Sequence, residues 1–506
     1  MAKYKNKAKK KNFFGDIKNR GKVFKKEVTF VKPKVAPLRE RGRYALVDDY
    51  NGEGTHCSHG PCLLFHDKKE GVRYFACAVY RDHEKCPFRA LLNEDGTITK
   101  VSEDDVVEVP SKYPYGVIPK KMKEIPIGSK IVYCPSCIEI FENKHKHPGE
   151  FVKRNQLRRP SSLLEEMSEE HGMAQYFFSS YSLSFVSSLI SSLSFDGVLC
   201  IGSPRLFENL RCEKKDDRNL FMLDWDQRYL SFFHAKESGR YSMLTDFFPD
   251  PKTLSRINSF FSQVNKLVIV CDPPFGVMVE VLVKNIEKMR ERHRVARAGS
   301  PSSSQSILFL PLFVGKHALK SYNGELWMSD YRVCYDNHKD FAKESKTTVR
   351  MFTDIPKLSI DLSNEKGYKL CEMCEKWVSE TNKHCGLCGD CTSRDGQTYH
   401  HCERCMRCVK DSYIHCKKCT RCHLNGRCPI EVEKKRIEDI EKLRIWEERE
   451  KQREERERER LRRERMERFE KARYKRCEEE EDGDEEGGEG EEESGGEGDE
   501  EMDEEY

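Results

Sequence analysis

Leu267-Val268-Ile269-Val270-Cys271-Asp272-Pro273-Pro274-Phe275 decides how this chain is read. Five apolar residues predict a buried strand, and the acid, two prolines and aromatic that follow stand at its carboxyl end. The Asp272 carboxylate and the Pro273 carbonyl can accept both hydrogens of an exocyclic amine. The amine lone pair is then left free for an electrophile, while the Phe275 ring stacks on the flat base. Two prolines stiffen the loop and remove N–H donors that would compete for the same acceptors. Taken alone, the four residues also fit a strand that ends in a proline turn.

Upstream elements decide between the two. Val198-Leu199-Cys200-Ile201-Gly202 predicts an earlier buried strand, broken at Gly202-Ser203-Pro204, with a helix from about Leu206. Leu220-Phe221-Met222-Leu223 predicts the next strand, ending in Asp224. A glycine turn lets a nucleoside cofactor approach backbone, and a strand-terminal acid can take the ribose hydroxyls. Glycine turn, ribose acid and amine-holding loop, in that order, resemble the S-adenosylmethionine-dependent N6-adenine methyltransferases. The turn has one glycine where that group commonly has two or three.

The resemblance narrows further on Ala174-Gln175-Tyr176-Phe177-Phe178, Gly202-Ser203-Pro204-Arg205-Leu206, Asp224-Trp225-Asp226-Gln227-Arg228-Tyr229 and Tyr335-Asp336-Asn337-His338. Over residues 52–430 the chain is similar to the ribosomal-RNA N6-adenosine methyltransferase family of zinc finger CCHC domain-containing protein 4. That resemblance implies cofactor contacts from Gln175, Tyr176, Phe177, Phe178, Arg205, Asp224, Met243, Leu244 and Asp272. It makes Asp272, Pro273, Pro274 and Phe275 the catalytic loop. Tyr335, Asp336, Asn337 and His338 match without an assignable role, and Tyr176, Phe178 and Leu244 equally suit a packed core. The chain departs from the family in one respect: the C-x2-C-x4-H-x4-C knuckle behind its name is absent.

Composition bounds the rest. The 506 residues are 35% charged, which implies several domains joined by long solvated segments. No run of about 18 apolar residues suggests a membrane span, and the lysine-rich start lacks the apolar core of a secretory signal. Twenty-three cysteines without such a signal point to metal thiolates in place of disulfides. The net charge of +3 hides a division: residues 478–506 hold 19 acids and no base, which leaves +22 on the remainder. Residues 1–43 alone carry 16 Lys and Arg against three acids. Such a body predicts a polyanionic partner, RNA or DNA. Lys5-Asn6-Lys7-Ala8-Lys9-Lys10-Lys11 suits nuclear import, or a disordered arm that touches phosphates.

Three groups of cysteine and histidine have metal-ligand spacing. Cys57, His59, Cys77 and Cys86 supply one tetrahedral zinc and resemble a GRF-type finger, with Cys62 as a spare thiol. Arg73, Tyr74, Phe75, Tyr80, Arg81, Phe88 and Arg89 surround those ligands and suit base stacking with phosphate contact, although some rings must form the finger's own core. Cys134, Cys137, His145 and His147 make a second candidate. Its histidine pair is unusually close, and His147 is expected to be solvent-exposed.

The third group is an array. Cys371-x2-Cys374 precedes three copies of His-Cys-x2-Cys-x2-Cys beginning at His384, His401 and His415, and the array closes at His423 and Cys428. Its sixteen ligands divide into four tetrahedra. In an interlocking scheme these are Cys371, Cys374, His384 and Cys391; Cys385, Cys388, His401 and Cys408; Cys402, Cys405, His415 and Cys422; and Cys416, Cys419, His423 and Cys428. His400 competes with His401. Thiolates packed this densely repel one another without cations, so metal binding and folding should be one event. Arg404, Arg407, Lys410, Lys417, Lys418 and Arg421 lie between the ligands, and the array either braces the catalytic domain or meets RNA.

These readings combine into one expectation. An α/β, Rossmann-like S-adenosylmethionine-dependent methyltransferase domain (155–363) is flanked by small zinc modules at 51–95, 131–150 and 366–430. A basic disordered arm (1–50) precedes them; a charged single helix (431–477) and a disordered acidic tail (478–506) follow. About six structural zinc ions are expected. The resemblance implies N6-adenosine methylation of large-subunit, 28S-type ribosomal RNA on a flipped base. The same chemistry on other RNA or DNA, or an inactive zinc-dependent nucleic-acid-binding protein, are the alternatives. Expected location is the nucleus and nucleolus, with the cytoplasm a further option. The acidic tail suits basic ribosomal or nucleolar proteins, and no membrane is expected.

Overall fold

The computed structural model describes residues 43–481 apart from 48–49, 51, 81–83, 101–111, 168–173 and 214–217. The basic arm, the lysine run at 5–11, Arg81 and the tail beyond 481 therefore lie outside the described residues. The described residues divide into two units, the larger ending at Gly426 and the smaller beginning at Arg427. Among the described residues, no helix is long and apolar enough to cross a membrane.

A mixed α/β layer dominates the larger unit. Its elements run α1 (Ser180–Ser192), β1 (Gly197–Ile201), α2 (Pro204–Cys212), β2 (Asn219–Asp224), β3 (Ser238–Arg240), α3 (Lys252–Ser262), β4 (Lys266–Cys271), α4 (Val279–Ala296), β5 (Ser303–Pro311), α5 (Gly315–Ser321), β6 (Trp327–Arg332) and β7 (Val349–Thr353). The seven strands lie in the order β3-β2-β1-β4-β5-β7-β6. Pairing is parallel from β3 through β5, and β7 joins β5 and β6 antiparallel. Parallel strands need both faces covered, which explains why the sequence is apolar without alternation there. Val198, Cys200, Val268 and Val270 pack toward α1 and α2, against Val186, Leu189, Phe207 and Leu210. Leu199, Ile201, Leu267 and Ile269 face the opposite way, toward Ile257, Phe261, Leu282 and Ile286 of α3 and α4.

Strand order reverses between β1 and β4, so their carboxyl ends open side by side. Crevices of this kind are where α/β sheets bind ligands. Asp272 N–H donates to the Ile201 carbonyl at 3.1 Å and Gly202 N–H to the Leu223 carbonyl at 2.9 Å, which draws the three strand ends together.

Smaller sheets surround this layer. Residues 44–100 form an antiparallel sheet with its own core of Leu64, Phe75, Phe88 and Leu92. Ile131–Cys134 pairs with both Glu139–Glu142 and Glu150–Val152. Four two-stranded hairpins follow the seven-stranded sheet, one for each Cys-x2-Cys knuckle of the array. The first is docked onto β6: the buried Asp330 carboxylate accepts from Ser379 N–H at 2.9 Å and from Asn382 Nδ2 at 2.8 Å. Tyr368 Oη accepts from Arg332 N–H at 3.0 Å beside it. These bonds favour bracing as the first hairpin's role.

The described part of the smaller unit is dominated by the helix Pro429–Glu481, of 53 residues. Most of its described side chains are exposed, and pairs such as Glu450–Arg453, Glu457–Arg460 and Arg460–Glu464 run along it. Each exposed pair contributes only a few tenths of a kcal/mol (~0.3), so charge patterning rather than a packed face maintains it.

Candidate active site and zinc clusters

A cavity with about 850 Å³ of empty space, open to solvent, lies where β1, β2 and β4 end. Gly202 forms its floor with a left-handed φ of 61°. A Cβ there would stand 2.9 Å from the Asp272 carbonyl oxygen and 2.8 Å from Met243 Cε. Only glycine lets the β1 turn pass so close under the end of β4. Pro204 then starts α2 with a preset backbone angle.

Asp224 closes β2. Its carboxylate accepts from Asp226 N–H at 2.9 Å. Burial, then the neighbouring Asp226 charge, pushes its carboxyl up to about 7. Asp226 is itself held by Arg228 at 2.7 Å and by Gln175 Nε2 at 3.2 Å. A buried carboxyl this short of donors is suited to a ligand that brings hydroxyl groups.

Asp272 closes β4. Burial holds its carboxyl well above the usual carboxylate range, and the Tyr335 hydroxyl, donating to Oδ1 at 2.7 Å, works against that shift. Phe275 lies parallel to Tyr176, with ring centroids 4.9 Å apart and planes 7° apart. His338 and Phe341 complete an aromatic wall around it.

Most of the expected site residues meet at this cavity. Gln175, Tyr176, Phe177, Gly202, Asp224, Met243, Leu244, Asp272, Pro273, Pro274 and Phe275 all line it. Phe178 and Arg205 are placed elsewhere. Phe178 is buried behind the wall against Phe309 and Tyr335. The Arg205 guanidinium is taken up by the Phe178 carbonyl at 2.8 Å and the Asp336 carboxylate at 2.7 Å. Phe178 thus packs behind the wall, and the Arg205 guanidinium lies over the Phe177 ring at 5.2 Å.

Tyr335, Asp336, Asn337 and His338, which sequence left without a role, organise that wall. Asn337 accepts from Phe177 N–H at 2.8 Å and donates to the Gln175 carbonyl at 2.8 Å. Val79 and Trp225 also line the cavity without having been foreseen. Val79 belongs to the first finger, whose Gly60 lies against the Trp225 indole, so the finger backs the cavity.

The metal-ligand sets assemble as well. Zinc bonds of about 2.0–2.3 Å place ligand atoms about 3.3–3.8 Å apart in a tetrahedron. Cys57, His59, Cys77 and Cys86 converge, whereas Cys62 stands outside the set. In this finger Tyr74, Phe75, Tyr80 and Phe88 are all buried, so the rings expected to stack on bases form its core instead. Arg73 stays exposed, while the Arg89 guanidinium lies over Tyr74 at 4.1 Å.

Cys134, Cys137, His145 and His147 converge too. His147 is half-buried, not solvent-exposed, with Nδ1 at 3.2 Å from Cys137 Sγ. His145 presents Nε2 to the same sulfur at 3.3 Å. Using opposite ring nitrogens lets two histidines one residue apart reach one point.

In the array, Cys371, Cys374, His384 and Cys391 form one cluster; Cys385, Cys388, His401 and Cys408 the next; Cys402, Cys405, His415 and Cys422 the third. His400 instead pairs with Asp411 at 3.3 Å. Backbone N–H groups of the knuckles stabilise thiolate: the Cys388 N–H pulls Cys385 down to about 6, and the Cys419 N–H does the same for Cys416, aided by His423. Cys428 directly precedes the long helix, in the smaller unit.

A parallel sheet with an acid, two prolines and an aromatic at its switch point belongs to the enzymes that methylate amino groups on bases. A family model described as "Probable N6-adenine methyltransferase" matches residues 169–369. The human rRNA N(6)-adenosine-methyltransferase ZCCHC4 is 34% identical over 386 residues, 70% of this chain and 74% of that protein. Its mouse counterpart is 32% identical over 369 residues, 67% and 72% of the two chains, and that of Xenopus tropicalis 30% over 356 residues, 65% and 72%. This chain belongs to the rRNA N(6)-adenosine-methyltransferase ZCCHC4 family. Membership implies S-adenosylmethionine as cofactor, and the cavity fits it: a buried acid for a diol, a side-chain-free floor and apolar Met243 and Leu244 for a flat base.

The Gly202→Ala chain is expected to bind S-adenosylhomocysteine roughly 10- to 100-fold more weakly, the equivalent of about 1–3 kcal/mol of backbone strain and clash. Calorimetric titration against the unaltered chain measures this. Unchanged affinity would place the cofactor away from the β1 turn.

Proposed function

We propose that this chain is an S-adenosylmethionine-dependent methyltransferase acting on N6 of an adenosine in large-subunit ribosomal RNA. The observation that carries the reading is Asp272. It is buried at the switch point, with Oδ1 fixed by Tyr335 and the rest of the carboxyl on the cavity wall beside Phe275. Strand order and the paired ends of β1 and β4 support the Rossmann-like assignment.

The protein's own residues chiefly position and desolvate. Asp272 and the Pro273 carbonyl accept the two N6 hydrogens, so the nitrogen lone pair points across the cavity. Phe275 offers a face to the base, which must leave its stack to reach it. The wall of Tyr176, His338 and Phe341 keeps water from the amine. Asp224 takes the ribose hydroxyls, and Met243 and Leu244 flank the cofactor's base. The bound cofactor supplies a methyl group on a sulfonium sulfur, for which N6 is the nucleophile. Holding the amine in line accounts for most of the acceleration in such a site, and no metal takes part in the step.

Structural zinc ions hold the flanking modules at the cysteine and histidine clusters described above. The net +22 on residues 1–477 attracts the RNA backbone. The acidic tail binds basic ribosomal or nucleolar proteins, and the nucleus and nucleolus are the places of action.

Mapping N6-methyladenosine on large-subunit ribosomal RNA from cells with and without this protein tests the proposal. One adenosine should lose its mark when the protein is removed and regain it when the protein is restored. An unchanged map would rule out this substrate.

A further inference from the structure

Tyr335 lies 63 positions beyond Asp272, and its hydroxyl donates to Asp272 Oδ1 at 2.7 Å. Its side chain is fully buried. The ring stacks on Phe178, with centroids 5.4 Å apart, and meets Phe275 edge-on at 5.4 Å and Tyr176 edge-on at 6.3 Å. A backbone bridge between Phe178 and Tyr335 fixes the main chain at the same point. With ring and backbone both held, the hydroxyl has one direction available, toward that oxygen.

We propose that Tyr335 is a positioning residue that holds Oδ1 of Asp272, so that Oδ2 alone meets the substrate amine and meets it as an acceptor. The inference rests on the methyltransferase reading above. A carboxyl protonated on Oδ2 would donate its hydrogen to the N6 lone pair and block attack. An ionised carboxylate accepts an N6 hydrogen and leaves the lone pair free. Burial favours the first state, and the Tyr335 hydrogen bond favours the second. The titratable groups bearing on the carboxyl are Tyr335 and the adjacent Cys271; burial pushes both well up, so both stay neutral. Of these influences, the Tyr335 hydrogen bond alone favours the ionised form.

Tyr335→Phe deletes only that hydroxyl. Single-turnover methyl transfer to ribosomal RNA at neutral pH should fall roughly 10- to 100-fold, with S-adenosylhomocysteine affinity by calorimetry and RNA affinity unchanged. Without the donor the folded-state pKa of Asp272 rises further, so the acid limb of the rate profile moves to higher pH and the deficit shrinks as pH rises. A uniform loss at every pH would mark a merely structural residue and overturn the proposal, as would an unshifted profile at full rate.

Asp272→Asn gives a second reading. Tyr335 would hold the amide oxygen and turn the NH2 toward the substrate, so transfer should nearly vanish. Adding Tyr335→Phe frees the amide to turn over, and the double variant should exceed Asp272→Asn alone. A double variant no better than the single one, or an Asp272→Asn chain at full rate, overturns the role even if Tyr335→Phe alone does not fold. Should the unaltered chain transfer no methyl to RNA, the enzymatic reading fails and takes this one with it. Should it be active while the variants behave otherwise than stated, only the positioning role is lost.

Discussion

Asp272→Ala should lower methyl transfer on the order of 1,000-fold while leaving RNA binding within about twofold, because an oriented polar group in a buried site acts mainly on the reacting amine. The variant removes the acceptor and leaves the Tyr335 hydroxyl without the partner it has at 2.7 Å. A buried hydroxyl that loses its partner costs about 1–3 kcal/mol of stability, enough to register as a lower melting temperature but not to unfold a sheet with two well-packed faces. Radiolabelled methyl transfer and RNA gel-shift measurements on one preparation separate the effects. Equal loss of transfer and RNA binding would make the residue structural.

Zinc withdrawal has the second large effect. The second and third hairpins of the array each give their knuckle to one cluster and their histidine and last cysteine to the cluster before it. Residues His384 and Cys391 serve the first cluster while Cys385 and Cys388 serve the second. Structural zinc is worth about 10 kcal/mol or more to a small module, far above the stability of a two-stranded hairpin in water. Cys388→Ser should therefore release more than one zinc per chain and raise hydrogen exchange in both neighbouring hairpins. Elemental analysis with exchange mass spectrometry reads both. Loss of a single zinc, with the neighbours still protected, would show that the clusters are independent.

What could be read in advance was local in the chain. The runs before Gly202, Asp224 and Asp272 have no polar interruption because those strands are covered on both faces, so strand and terminus were legible together. The array was legible because its ligands repeat, and the repeat specified which cysteines converge. Distance along the chain hid the remainder. Tyr335 reaches Asp272 from the segment after β6, the edge strand that pairs with β7 and not with β5, and no periodicity signals that. His147 looked a poor ligand on spacing because linear spacing does not tell which ring nitrogen faces the metal. The first finger's rings read as a base-stacking surface, yet a sheet that small needs nearly all its aromatics for its own interior.

Val79, contributed by the finger to the cavity wall, limits how the molecule can be divided. A fragment trimmed to the seven-stranded sheet would keep every residue expected to handle the methyl group, yet would present its cofactor with a cup broken on the Trp225 side. Weak activity in such a fragment would therefore report the missing rim, and whole-chain protein is the sound starting material for inhibitor screening.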